Sequence, residues 1–225
     1  MFAGHFAAAL AAKSVAPRAS LGTLTFAAQW IDLLWPTLLL AGIERVRIEP
    51  GATATNPLVF EHYPWSHSLA AVFAWALVIG ALHFTTRRNA RAAVVIGALV
   101  VSHWLLDVVV HVPDLPVVPG GTPVGAGLWN HREAALLLEL GLLAGGAALY
   151  VRSTSALDRI GRWGLAAFIA FLVVIQLANT FGDPPPSVTA IAWVGQLQWL
   201  LVAWALWIGR HRAPRAAARL SEAAA

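Results

Sequence analysis

None of the 225 residues is a cysteine, so the chain can form no disulfide and offers no thiolate to a metal. Any metal would have to be held by His, Asp or Glu. Charge is scarce as well. Asp, Glu, Lys and Arg make up 12% of the sequence, about half of the ~25% usual in water-soluble domains. There is no internal repeat and no stretch with the composition of a separate soluble domain. Apolar residues fill the chain instead: 59% are hydrophobic, and the mean hydropathy is +0.69. The net charge is +4 and the pI near 10.6, but the arginines lie scattered between apolar runs. That spacing suits a membrane protein better than the continuous basic groove of a nucleic-acid binder. Membrane lipids, and no nucleic acid, are the expected partners.

A bilayer core of ~30 Å takes ~20 apolar residues in a helix. Six stretches qualify, at 21–43, 66–84, 90–111, 133–151, 163–181 and 188–208. A seventh, 2–15, is apolar but short, and Pro17 separates it from the next run. Lys13 and Arg18 follow it rather than precede it, the wrong order for a signal peptide. The expectation is an all-α, polytopic helical membrane protein with about six transmembrane helices plus an N-terminal half-helix. Residues 1–209 form the membrane domain, and 210–225 form a tail with little structure of its own. The linkers alternate in charge. Twelve of the fifteen basic residues lie at one end, leaving Arg45, Arg47 and Arg132 for the other. The positive-inside rule puts the arginine-rich end, with the C-terminus, in the cytoplasm. A bacterial inner membrane is the expected location. The Gly/Pro-rich stretch VPGGTPVGAG (118–127) reads as an irregular outer loop with the composition of a lid. Trp65, Trp129 and Trp193 fit an aromatic belt.

Ionisable residues inside membrane segments mark function by default, because a charge in hydrocarbon is costly. Asp32 lies mid-helix in QWIDLLWP. His103, Asp107 and His111 follow one another at steps of four in SHWLLDVVVH, which places them along one stripe of a helix. Glu139, Gln176, Asn179, Gln196 and Gln198 fall in the outer halves of later helices, whereas the inner halves are nearly free of polar residues. That sorting points to a hydrated cavity opening outward. In EHYPWSHSL (61–69), His62 and His67 stand at the start of a helix that returns beside the His103–Asp107 stripe. If 2–15 runs antiparallel to the first long helix, His5 comes level with Asp32, ~20 Å from the inner face. His111 also fits a helix end bonded to water. His131 and Glu133 read as helix-start polar residues or partners of the site, and Glu61 as a support for a ligand histidine or a solvated charge. Glu44 and Glu49 read as solvated loop charges, and His83 and His211 as surface residues.

The set resembles the family of predicted membrane-bound metal-dependent hydrolases, also described as LexA-binding, inner-membrane-associated hydrolases. The matching features are His5 in GHFAAAL, Asp32, the His-x4-His-Ser-Leu element formed by His62 and His67-Ser68-Leu69, and the His-x3-Asp of His103 and Asp107 in SHWLLD. They span roughly the first half of the chain. Where that family often reads His-Arg-Gly, this chain has His62-Tyr63-Pro64.

The combined expectation is an outward-facing metal site built from His5, Asp32, His62, His67, His103 and Asp107. Zinc, manganese or iron suits such a donor set. Asp107 or Asp32 acts as ligand or general base, while His111, Glu139, His131 and Glu61 are candidate supports. Apolar walls beside the site point to hydrolysis of a lipid or amphiphilic (phospho)ester. Two alternatives stand. One is a di-iron oxidase or hydroxylase, although adjacent His-His pairs are absent. The other is a metal or ion transporter, or a non-catalytic membrane module.

Overall fold

A backbone in apolar surroundings must satisfy its own N–H and C=O groups, and the long apolar runs do so as helices. The computed structural model describes residues 1–215. It opens with α1 (Ala3–Ala12) and α2 (Leu21–Leu40), followed by a hairpin of β1 (Arg45–Ile48) and β2 (Leu58–His62). A single turn, α3 (Pro64–His67), leads into α4 (Leu69–Arg87) and α5 (Ala90–Val110). The two-residue strands β3 (Leu115–Pro116) and β4 (Pro123–Val124) pair with each other, and α6 (Arg132–Ser153) follows. The chain ends with β5 (Thr154–Ala156), α7 (Arg159–Phe181), α8 (Val188–Gln196), α9 (Gln198–Arg210) and β6 (Arg212–Pro214).

Polar residues just before the apolar runs set the helix starts. The side chains of Ser20, Ser68, Asn89, Asp158 and Ser187 each accept a backbone N–H three residues on, opening α2, α4, α5, α7 and α8. Four helices (α4 to α7) and the stretch Val188–Arg210 are long and apolar enough to cross a membrane. Their outward faces fit that setting. Leu77, Val94 and Leu137 are each 73% exposed, an apolar surface that suits hydrocarbon and not water.

Two of the six expected spans differ in kind. Helix α2 has the length, but Gln29, Asp32 and Pro36 interrupt its apolar run, and it serves as the central helix, packed on α1, α5, α8 and α9. The last run breaks at Leu197 into α8 and α9. The break has a visible partner: Pro36 lacks an N–H, which leaves the Asp32 carbonyl free, and Gln198 Nε2 donates to that carbonyl at 3.5 Å. Above the break α8 leans on α2, where Gly195 lies so close to Pro36 that a Cβ would meet its ring at 2.5 Å.

The expected loose tail is partly ordered. Residues 212–214 pair with β5, and His211 Nδ1 bonds Asp158 at 2.6 Å. The remainder of the expected tail, 216–225, lies outside the described residues. Trp65 and Trp193 are exposed as an aromatic belt requires, whereas Trp129 packs on His111 with ring centroids 4.2 Å apart and planes tilted by 44°.

The short helix α1 is held inside the bundle by close backbone contact with α6. A Cβ added at Gly146 would lie 2.4 Å from the Ala7 carbonyl oxygen, whereas one at Gly145 would meet nothing within 4 Å. Neighbouring glycines should therefore respond oppositely. Gly145→Ala is expected to raise the thermal unfolding midpoint in detergent, gaining about 0.5–1 kcal/mol of helix propensity. Gly146→Ala is expected to lower it by pushing α1 outward. Thermal unfolding of both variants checks the pair; equal shifts would contradict the packing.

Candidate metal centre

Four elements deliver side chains to one buried point where α1, α2, α3 and α5 meet. His5 comes from α1, Asp32 from α2, His67 from α3, and His103 and Asp107 from α5. Five of the six expected ligands are thus brought together, in two overlapping groups: His5, His103 and Asp107, and Asp32, His67 and His103. Asp107 stands between the two sides. Its Oδ1 is 3.1 Å from His5 Nε2 and 2.5 Å from the Met1 amino nitrogen, and its Oδ2 is 3.2 Å from His103 Nε2 and 4.0 Å from His67 Nε2. Asp32 Oδ1 is 3.6 Å from both His67 Nε2 and His103 Nε2. The His5 and His103 rings stack at 3.6 Å with planes 8° apart.

Each α5 and α3 imidazole has its tautomer set from behind. His103 Nδ1 lies 2.8 Å from the Ala28 carbonyl, which can only accept, so Nδ1 carries a proton and, in the neutral ring, Nε2 the lone pair. His67 Nδ1 lies 2.7 Å from Ser66 Oγ. That hydroxyl spends its own proton on Glu44 Oε2 at 2.6 Å, so His67 Nδ1 is the donor and its Nε2 is again the lone pair. Glu44 is fixed in turn, because its Oε1 accepts the Trp65 and Ser66 N–H groups, both at 2.8 Å. The local sequence makes this compact: Pro64 starts the turn of α3, Ser66 holds His67, and Ser68 caps α4.

The consequence is an unbalanced cluster. Lone pairs on His67 and His103 face carboxylate oxygens 3.2–4.0 Å away, and His103 Nε2 has no hydrogen-bond partner despite its burial. The Met1 ammonium offsets one carboxylate at Asp107 Oδ1, and balancing the other calls for one more positive charge, either a proton on an imidazole or a metal cation. The spacing suits a cation, since ligands ~2.0–2.2 Å from one metal at tetrahedral angles sit ~3.3–3.6 Å apart.

Glu139 acts from a distance. Its carboxylate accepts the Phe2 and Gly4 N–H groups at 3.0 and 2.8 Å, capping α1, and Gln176 Oε1 accepts from Ala3 N at 3.4 Å. The polar residues of α6 and α7 thereby hold the helix that carries His5.

His62 does not join the cluster. A bulge between the Arg45–His62 and Val46–Phe60 pairs breaks the alternation of β2, so Phe60 packs on Tyr63 while His62 is exposed. Glu61 is also exposed and bonds Arg47. His131 is exposed at the start of α6. His111 lies nearby but serves another contact: Asp114 accepts from its Nδ1 at 2.8 Å and from the Tyr63 hydroxyl at 3.2 Å. Burial pushes the His111 pKa down, against the pull of Asp114, and burial with the Asp114 charge pushes Tyr63 up. Glu44, expected among the solvated charges, is 2% exposed, because α3 needs an acceptor at its start. Glu49 does stay exposed, beside Arg47.

A cavity of about 980 Å³ opens onto the cluster, with Asp32, His67 and Asp107 on its wall. Its roof comes from the 51–58 connection of the hairpin and not from the 118–127 loop expected as a lid. That loop is instead pinned to α5, with Ala126 N bonding Val108 O at 2.7 Å and Gly127 N bonding His111 O at 2.6 Å.

Compared with known family models, with the curated proteins and with solved structures, the chain matches none.

The supports behind His67 should matter as much as its ring. Ser66→Ala and Glu44→Gln are each expected to weaken divalent-cation binding about 10–100-fold, while His62→Ala leaves it unchanged. Competition with a chromophoric chelator checks this; unaltered affinity in Ser66→Ala and Glu44→Gln would contradict the arrangement.

Proposed function

We propose that the chain is an integral-membrane, metal-dependent hydrolase acting on a carboxylic or phosphoric ester carried by a lipid or another amphiphile. The observation that carries this reading is the pair of imidazoles, oriented from behind, that turn Nε2 toward the carboxylates of Asp32 and Asp107. His5, His67, His103 and Asp107 would hold the cation with Asp32 beside it, zinc first and manganese or iron also compatible with a nitrogen and oxygen donor set. When bound, such a cation supplies Lewis acidity to the ester or phosphoryl oxygen and to the attacking water.

The two carboxylates divide the remaining work. The Asp107 side chain is 2% exposed; its Oδ1 is held by His5 Nε2 and the Met1 amino group while its Oδ2 lies 3.2 Å from His103 Nε2, so it positions His5 and His103. The Asp32 side chain is 21% exposed and lines the cavity, so it is the carboxylate that water reaches. Asp32 takes the proton as the water oxygen bonds to the carbonyl carbon or phosphorus. The alkoxide leaves with the electron pair of the broken bond and takes the proton that Asp32 received from water, which returns Asp32 to its carboxylate form.

The resemblance in His5, Asp32, His67-Ser68-Leu69, His103 and Asp107 to predicted membrane-bound metal-dependent hydrolases supports the same reading. The packing below the cluster argues against a conduit. Phe6, Leu10, Leu143, Phe168 and Leu172 are buried together in one apolar cluster toward the arginine-rich end. With that end in the cytoplasm, as its twelve basic residues favour, the cavity opens to the extracytoplasmic side of a bacterial inner membrane.

Detergent-purified protein supplied with zinc, manganese or iron(II) is expected to hydrolyse long-chain fluorogenic carboxyl esters or phosphoesters. Asp32→Asn should lower kcat by about 10²-fold or more while retaining bound metal. Absence of hydrolysis across both ester classes with all three metals, or full activity in Asp32→Asn, would overturn the reading.

A further inference from the structure

The cavity beside the cluster continues well past it, and its direction carries information. On α7 the wall runs from Gln176 to Phe171, five residues nearer the arginine-rich end, or ~7.5 Å along the helix. On α9 it runs from Gln198 to Trp204, six residues in the same direction, or ~9 Å. Character changes along that path. At the level of the cluster the wall offers Asp32, His67, Asp107, Glu139 and Gln176, while the deeper part offers Phe171, Leu200, Leu201 and Trp204. The cavity is therefore polar near the hairpin end and apolar toward the middle of the bundle.

It also opens sideways. Helix α7 packs on α9, whereas the break at Leu197 turns α8 toward α2. The lips of the resulting cleft are exposed apolar residues that also line the cavity: Phe171 at 40%, Val194 at 64%, Leu197 at 56% and Leu200 at 64%. These lips lie on helices whose outward faces suit hydrocarbon. A soluble substrate has no use for an apolar cleft opening into the bilayer. A lipid of the leaflet at the hairpin end arrives with its headgroup level with the cluster and its chain pointing to the midplane, which is the polarity sequence of this wall.

We propose that this cavity is a lateral slot for the hydrocarbon chain of a membrane lipid. The chain enters between α7 and α8, beside the break at Leu197, and lies against Phe171, Ile175, Leu201 and Trp204. The headgroup linkage is then delivered to the Asp32 side of the cluster. The volume of about 980 Å³ is at the upper end of the ~300–1,000 Å³ of ligand cavities, enough for one chain and a headgroup. The statement about substrate delivery rests on the hydrolase reading; the slot itself does not.

The test uses the full chain in nanodiscs containing a phospholipid with a photoactivatable diazirine in its acyl chain. Crosslinks are mapped by mass spectrometry, and metal content is measured on the same samples. Crosslinks are expected to concentrate on Phe171, Ile175, Leu201 and Trp204 relative to the freely exposed Leu77 and Val78 of α4. In Ile175→Trp/Leu201→Trp they should fall about tenfold in the slot, as overfilling predicts, with α4 labelling and metal content unchanged. A single Leu200→Trp at the lip gives a milder variant should the double change disturb folding, and it too should lower slot labelling. Crosslinks spread in proportion to outward exposure, or slot crosslinks indifferent to these tryptophans, would overturn the proposal. Slot labelling in protein that takes up no metal would support the slot while removing the hydrolase reading; metal without slot labelling would do the reverse.

Discussion

Three imidazoles and two carboxylates share one point inside an apolar bundle, and the rest of the molecule is arranged around that concentration of polar groups. A lone charge placed at the centre of a membrane helix costs ~2.5–3.5 kcal/mol on insertion scales, so Asp32 and Asp107 must each face partners that offset it. Those partners come from three other helical elements, because one helix can offer only a stripe. His103 and Asp107, four residues apart on α5, supply that stripe, and α1, α2 and α3 close around it.

This arrangement explains several features that look unrelated. The free N–H groups at the start of α1 are satisfied by Glu139 and Gln176. That helix lies close to α6 because Gly146 leaves room for the Ala7 carbonyl. Pro36 in α2 frees the Asp32 carbonyl, which Gln198 then meets, and the same neighbourhood contains the break between α8 and α9. The break turns α8 onto α2 and separates it from α7, which produces the sideways cleft. Site, break and cleft are thus steps of one packing solution.

Much of this was legible in the residues. The long apolar runs marked the helices, the spacing of His103 and Asp107 marked a shared face, and the position of His5 before the turn at Pro17 gave its depth. What escaped was set by tertiary contacts or by register. Glu44 sits in AGIERVRIEP, among charges that look solvated, and only the placement of α3 above it turns it into a buried acceptor. His62 depended on strand register, which a single bulge altered. Leu197 sits between Gln196 and Gln198, next to Gly195, which marked a polar spot without announcing a break; the proline that accompanies it lies on another helix. Ser66 was readable in hindsight, as a hydroxyl next to a ligand histidine, but its role required knowing what it bonds.

The central claim is that these buried groups hold a cation. Because His103 belongs to both ligand groups, elemental analysis of detergent-purified protein beside its His103→Ala variant, each after exposure to zinc, manganese or iron(II) and removal of excess, tests it most directly. The account predicts near-stoichiometric metal in the parent and its loss in the variant, with helical circular dichroism retained in both. A parent that binds no metal, or a variant with undiminished occupancy, would contradict it.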